Sequence, residues 1–264
     1  MEIKNITIIG PGRLGTAFQV VFSEVGFVVK MIDKTTDRQE VGDVTFITVP
    51  DGSIHEVSKK LASGGSSFSG KIVAHCSGAY SSQILDNLAE QGALTACFHP
   101  LKAVSKTTRS FKASFFDLEG SEEAIVHLED IVKKIGAQSI RVSPEEKELL
   151  HVSAVMASNY TVTLADLALR ISSSNNISER ELLDALLPLM GSSIENLSGL
   201  NPAEALTGPI ARGDIQTVQK HLLLLQDKPD LLAIYKHLGL LTLELITDEV
   251  TEHTIKFRLY DLLK

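Results

Sequence analysis

Over the first half of the chain, short β-branched apolar runs alternate with stretches whose apolar residues fall at helical spacing. Ile3, Ile6, Ile8 and Ile9 make the first run, and Thr16-Ala-Phe-Gln-Val-Val-Phe22 follows with a helical period. Further buried strands are read over Phe27–Asp33, Asp43–Val49, Lys71–His75, Leu94–Phe98, Ser114–Leu118 and Ser139–Val142, with helices near 54–61, 84–88 and 121–135 between them. This alternation predicts an α/β fold with a doubly wound, mostly parallel sheet and a ligand across the carboxyl ends of its strands. At Ser143 the pattern changes. Ser143 reads as an N-cap, Pro144 as the first helical residue and Glu146 as the capping-box acid. Beyond it the periodicity is helical, near 144–173, 178–196, 214–226, 229–246 and 250–262, interrupted over Asn201–Asp214. The expectation is two domains, 1–143 with the sheet and a smaller all-α domain over 144–264.

The first strand runs directly into Gly10-Pro11-Gly12-Arg13-Leu14-Gly15 and then into the first helix. In a dinucleotide site each glycine has a task. Gly10 makes the turn, Gly12 lets the backbone approach a pyrophosphate, and Gly15 lets helix and strand pack closely. The N–H groups and positive dipole end of the helix then face the phosphates. The pattern has its required context, between a strand and a helix. Asp33 ends the second strand, 18 residues after Gly15, where a ribose-binding acid is expected. Asp33 favours NAD, because it accepts from a free ribose 2′-OH and repels a 2′-phosphate. Lys34 and Arg38 lean the other way, so the residues leave NAD and NADP both open.

Composition narrows the setting. With 44% apolar and 22% charged residues, the 264-residue chain is an ordinary globular protein. A net charge of −8 argues against a nucleic-acid partner. No run of 18 apolar residues suggests a membrane span, and the polar start Met1-Glu-Ile-Lys4 does not read as a signal peptide. Cys76 and Cys97 are the only cysteines and read as buried free thiols, and no Cys/His spacing suggests a metal site. A cytoplasmic protein is expected.

Five patches carry a family resemblance: Val49-Pro50-Asp51, His75-Cys-Ser77-Gly78, Phe98-His-Pro-Leu101, His151–Asn159 and Leu206–Asp214. With them the chain resembles the Rossmann-like family whose C-terminal part is the domain of unknown function DUF2520. More broadly it resembles small two-domain reductases, among them pyrroline-5-carboxylate reductase, ketopantoate reductase, and the 6-phosphogluconate, β-hydroxyacid and prephenate dehydrogenases. The resemblance implies a dinucleotide cofactor, NADPH more than NADH, bound by the glycine loop, Val49 to Asp51, and Ser77 and Gly78. It also implies a small-molecule substrate and a homodimer through the helical domain. A 2-keto acid such as ketopantoate is one candidate substrate.

Hydride transfer needs a proton donor beside the substrate. His99 ends the fifth strand, an imidazole can donate a proton or polarise a carbonyl, and the His-Pro-Leu setting is similar to the His-Pro-Met of prephenate dehydrogenases. The alternative is a histidine that only satisfies a turn. In the β-hydroxyacid and 6-phosphogluconate dehydrogenases a lysine four residues before a helix asparagine is the general acid. Here Asn159 is present but Val155 stands at the lysine position. Lys102 is a possible substitute, with a surface lysine as its plain reading. His151 and Ser158 fall on or near the face of Asn159, since 151, 155 and 159 are spaced i, i+4, i+8. Thr207 and Arg212 mark a loop whose guanidinium suits a substrate carboxylate, unless Arg212 only pairs with Asp214. The missing lysine keeps a second class in view, a dinucleotide-binding redox sensor without turnover.

Overall fold

The computed structural model of the protein describes residues 2–33, 41–172, 177–246 and 253–264. Its sheet contains all seven expected strands: β1 (Asn5–Ile9), β2 (Val28–Ile32), β3 (Val44–Ile47), β4 (Ile72–His75), β5 (Leu94–Leu101), β6 (Phe115–Gly120) and β7 (Gln138–Arg141). Helices α1 (Arg13–Glu24), α2 (Ile54–Ser63), α3 (Asp86–Ala89) and α4 (Glu122–Lys134) connect them. The order across the sheet is β2-β1-β3-β4-β5-β6-β7. Pairs from β2 to β5 are parallel, β6 is antiparallel to β5, and β7 is parallel to β6. Strands β2 and β3 lie on opposite sides of β1, so the winding reverses there and leaves a crevice at the carboxyl ends of β1 and β3.

Alternation along the strands divides the core. Ile6, Ile8, Phe46, Ala74, Phe98, Phe116 and Leu118 face α1 and α4 and share one cluster with Phe18, Phe22 and Leu128. Phe18 is its centre, with ring centroids 4.9 Å from Phe22 and 5.7 Å from both Phe46 and Phe98. On the opposite face Ile9, Ile47 and Val73 pack against Ile54, Val57 and Leu61 of α2.

Strand β5 does not stop at Phe98 as the apolar run suggested. It continues to Leu101 because β6 pairs with it as far as Leu101↔Phe115, whereas β4 ends opposite Cys97. His99 therefore sits inside a two-stranded extension beyond the parallel sheet.

After β7 comes α5 (Pro144–Ala154), started by the expected capping box: Ser143 Oγ accepts from the Glu146 N–H and Glu146 accepts from the Ser143 N–H. A π-helical turn over Val155–Asn159 follows. The chain divides into two compact units, Met1–Asn159 and Tyr160–Lys264. So α5, assigned to the helical domain by its period, belongs with the sheet, and the reason is chemical: Lys147 is buried on a β6 carboxylate. The second unit holds α6 (Tyr160–Ser172), α7 (Glu179–Asn196), α8 (Pro202–Ala205), α9 (Ile215–Leu224), α10 (Pro229–Leu245) and α11 (His253–Leu263), and no strand among its described residues. Val218, Leu243, Ile246, Leu259 and Leu263 form its core.

Candidate active site

The glycine loop is built as its sequence predicts, and the three glycines are needed for different reasons. Gly10 has φ +114°, which side-chain-bearing residues rarely adopt, and its N–H donates to the Ile32 carbonyl (3.0 Å) at the end of β2. A Cβ on Gly15 would run into the Gly10 carbonyl oxygen. Thr48, just past β3, locks this turn: its hydroxyl donates to the carbonyls of Gly10 (2.8 Å) and Ile9 (3.1 Å). Gly12 differs from both. Its backbone (φ −76°, ψ −171°) suits any residue, and a Cβ there would meet nothing nearer than Thr48 O at 3.9 Å.

Among the described residues, nothing requires a glycine at position 12. What its missing side chain leaves open is the approach to the N-terminus of α1, which has no side-chain cap and no acid in its first turn. Uncapped N–H groups and the positive helix end favour an anion. The crevice at the reversal point thus fits the pyrophosphate of a dinucleotide. Pro11 and Arg13 are exposed beside it, while the Leu14 side chain packs on the main core and only its backbone faces the site. Val49 lies against Gly10, and Pro50 and Asp51 are exposed at the start of a short turn leading into α2. Asp33 follows the residue that anchors Gly10. Lys34 and Arg38 lie outside the described residues.

A second polar centre forms where the β5–β6 extension passes under α5. Phe98, Phe116 and Leu118 point into the main core, so His99 and Asp117 between them point to the opposite face. They are register partners, and His99 Nδ1 lies 2.6 Å from Asp117 Oδ2. The other oxygen, Oδ1, accepts from Lys147 Nζ at 2.7 Å. Side-chain exposure falls from 17% at His99 to 3% at Asp117 and 1% at Lys147. Only the histidine reaches solvent. Burial would raise the Asp117 pKa, but His99 and Lys147 outweigh it and hold the carboxyl below its usual range. Burial likewise opposes the Lys147 ammonium, and Cys97 and Asp117 keep its pKa above that of an ordinary lysine.

The surroundings are otherwise uncharged or already committed. His75 is fully buried, accepts the Ser77 N–H at Nδ1 and donates from Nε2 to the Ser81 carbonyl (3.0 Å). Burial, with Lys147 nearby, pushes its pKa down to about 4, so it is neutral at physiological pH. The Cys97 thiol donates to the Ser77 carbonyl (3.3 Å), and burial pushes its pKa up to about 12. Cys76 and Cys97 are both free and buried, as expected. Glu119 binds Ser82 through the backbone N–H (2.6 Å) and the hydroxyl (2.7 Å), tying β6 to the loop after β4.

His151 completes the group from α5, one turn after Lys147. Its ring centroid is 6.0 Å from that of His99, and its buried Nδ1 has no hydrogen-bond partner among the described residues. Gly78 lies against both rings: a Cβ there would collide with His151 Nδ1 and come within 2.8 Å of His99 Cε1. Its lack of a side chain thus admits two histidines, a task the sequence did not suggest for a residue expected at the cofactor. The neighbouring Ser77 hydroxyl accepts the Ala79 N–H (3.1 Å).

Lys102 donates to Ser114 Oγ at 3.3 Å. Ser158 and Asn159 are exposed in the π-helical turn. That turn corrects the i, i+4, i+8 ridge, because its wider winding shifts Asn159 out of the α-helical phase of His151 and Val155. In the second unit Thr207 and Arg212 line an open cleft of about 540 Å³ with Asn201, Leu206 and Gly208. Among the described residues Arg212 makes no salt bridge: Asp214 caps α9 through the Thr217 N–H (3.0 Å) and hydroxyl (2.6 Å), with Arg212 a nearby charge that helps lower the Asp214 pKa. Asp117 and Lys147 were not expected. Asp117 had left a signal, an acid alternating with Phe116 and Leu118 in a buried strand, but Lys147 in Glu145-Glu-Lys-Glu148 reads as solvated helix.

Comparison with known proteins supports this architecture. A Rossmann-like domain model matches residues 34–100, and the model of DUF2520, a domain of unknown function, matches residues 114–242. The chain therefore carries a Rossmann-like domain followed by a DUF2520 domain. No curated protein matches it. Among solved structures, it is 21% identical to a candidate NADP oxidoreductase from Bacteroides fragilis, with a TM-score of 0.76 over 91% of this chain and 98% of that one. Protein TM1727 from Thermotoga maritima is 27% identical, with a TM-score of 0.71 over 92% and 99%. A reductive aminase from Aspergillus terreus, solved with NADPH and ethyl levulinate, shares the fold at 14% identity, with a TM-score of 0.68 and full coverage of both chains.

Proposed function

We propose that the protein is an NAD(P)-dependent reductase that acts on a carbonyl or imine carbon of a small carboxylate-bearing compound. The observation that carries this reading is Gly12, a glycine with no internal need for one, in front of an uncapped helix at the reversal point of the sheet. The fold it shares with an NADPH-bound reductive aminase supports the same reading. A nicotinamide dinucleotide bound there supplies the hydride. The glycine loop and the first turn of α1 hold the phosphates, and Asp33 stands where a ribose would be read.

His99 serves as the proton donor. With Nδ1 engaged by Asp117, Nε2 is the atom left for exchange. In the reducing direction the imidazolium releases its Nε2 proton to the substrate oxygen or nitrogen and becomes neutral imidazole. Arg212 is the candidate carboxylate ligand of the second unit. Val155 in place of the family lysine is then no obstacle, since the donor comes from the sheet and not from the helix. Turnover of NADH and NADPH against a panel of 2-keto acids and cyclic imines tests the reading. Tight nucleotide binding without oxidation across the panel would favour the sensor alternative.

A homodimer through the helical unit is part of the proposal. Helices α6 and α7 bury none of their residues within the chain and expose Val162, Leu164, Leu187, Leu189 and Ile194. Apolar surface on this scale needs cover. By length and composition the stretch Pro144–Ser172 would also pass for a membrane span. Sedimentation in detergent-free buffer separates the two: a dimer supports the proposal, and a monomer or a detergent-dependent protein contradicts it.

A further inference from the structure

Asp117 is shared between two cations, and that division has a consequence for the histidine. The groups facing His99 are Asp117 from β6, His151 and (through Asp117) Lys147 from α5, His75 from β4, and Cys97 on its own strand. His75 and Cys97 are uncharged at physiological pH, and Glu119 is engaged with Ser82. The fixed charges beside His99 are therefore one carboxylate in direct contact and one ammonium behind it, which offsets the carboxylate in part. An unshared buried carboxylate would hold the imidazole protonated well above neutrality and make it a poor donor.

We propose that Lys147 is a positioning residue that sets the charge state of His99 through Asp117. It touches neither substrate nor cofactor, being 1% exposed at its side chain and 2.7 Å from the far oxygen of Asp117. Its ammonium takes up half of the carboxylate and so limits how far Asp117 favours the imidazolium form of His99. Lys147 also stands on α5 eight residues before Val155. The helix thus retains a lysine, and its place is behind the donor. The inference rests on the reductase reading for its purpose, but its physical content is independent of turnover.

The direct test is the titration of His99 by nitrogen-detected NMR, its signal assigned by loss in His99→Gln. Lys147→Met should raise the His99 pKa by about one unit or more, and Asp117→Asn should lower it by a similar amount. Lys147→Arg, which keeps the charge, should leave it near the wild-type value. A single variant with one buried charge unpaired can fail to fold, so the double variant Lys147→Met with Asp117→Asn decides the matter. It removes both charges together, which buried pairs tolerate. Its His99 should titrate above that of Asp117→Asn or, if that variant does not fold, above that of Asp117→Asn combined with Lys147→Arg, which keeps the charge at position 147. A folded Lys147→Met protein with an unmoved His99, or a double variant whose His99 titrates no higher than with asparagine at 117 and the charge at 147 kept, would overturn the proposal. Where a substrate is turned over, the acid-side limb of the kcat profile should move with the NMR value. Shifted titration in a protein that reduces nothing defeats the reductase reading and leaves the role of Lys147, whereas turnover with unmoved His99 does the reverse.

Discussion

Lys147 and Asp117, 30 residues apart, form a buried ion pair of 2.7 Å that fastens α5 to β6. Its partners are 1% and 3% exposed, so neither charge has water to fall back on. Removing one partner of such a pair typically costs about 3–5 kcal/mol, because the other is left charged and enclosed. Asp117→Ala should lower unfolding stability by that amount in denaturant titrations. A loss below about 1 kcal/mol would place the pair in solvent.

Acid should destabilise the protein before its carboxylates titrate. The His75 pKa is about 4 when folded, against 6.5 for a free imidazole. Between those values the unfolded chain binds more protons, so stability falls as pH drops from about 6.5 to 4. The shift corresponds to roughly 3 kcal/mol, all of it lost below pH 4. Asp117, whose folded pKa is depressed, adds a loss at still lower pH. Denaturant melts across this range should show the slope in the wild-type protein and not in His75→Gln. Equal slopes would mean that His75 is hydrated.

The seven strands, the capping box at Ser143 and the glycine turn were legible because each depends on residues close in sequence. Ile6, Ile8 and Ile9 declare a buried strand, and Gly10 to Gly15 a turn, without knowledge of the rest. The His99 cluster depends on register and on an extra pair of charges. Its key contact, His99 with Asp117, follows from β6 running antiparallel to β5, which no local pattern announces. Lys147 is hidden for a different reason: its neighbours are glutamates, and only burial on Asp117 distinguishes it from a surface lysine. The π-helical turn at Val155–Asn159 breaks the face on which His151 and Asn159 had been aligned.

His99 carries the chemical claim. General-acid help is worth about 10²–10⁴ in rate, so His99→Ala should lower kcat by that order with dinucleotide affinity nearly unchanged. His99→Gln keeps a donor that cannot titrate and should recover little of the rate. A wild-type rate and pH profile in His99→Ala would move suspicion to Lys102.

On the proposed reading, Asp33 faces the ribose and bears on the choice between cofactors. Asp33→Ser removes the acceptor for a ribose 2′-OH and the repulsion of a 2′-phosphate, so the ratio of NADP to NAD affinity should rise. Competition titrations with the two nucleotides measure it. An unchanged ratio would place the ribose elsewhere.

The account as a whole rests on the dinucleotide at the glycine loop, and Gly12 permits a clean test. Gly10 and Gly15 cannot be changed without disturbing the turn, but a Cβ at position 12 fits the backbone and, among the described residues, comes no nearer to any atom than 3.9 Å, at Thr48 O. Titration of NADPH into the wild-type protein and Gly12→Val, followed by nucleotide fluorescence, is the most direct measurement. The account predicts saturable binding to the wild-type protein and its loss in a Gly12→Val protein with an unchanged melting temperature. Equal affinity in the two proteins would contradict it.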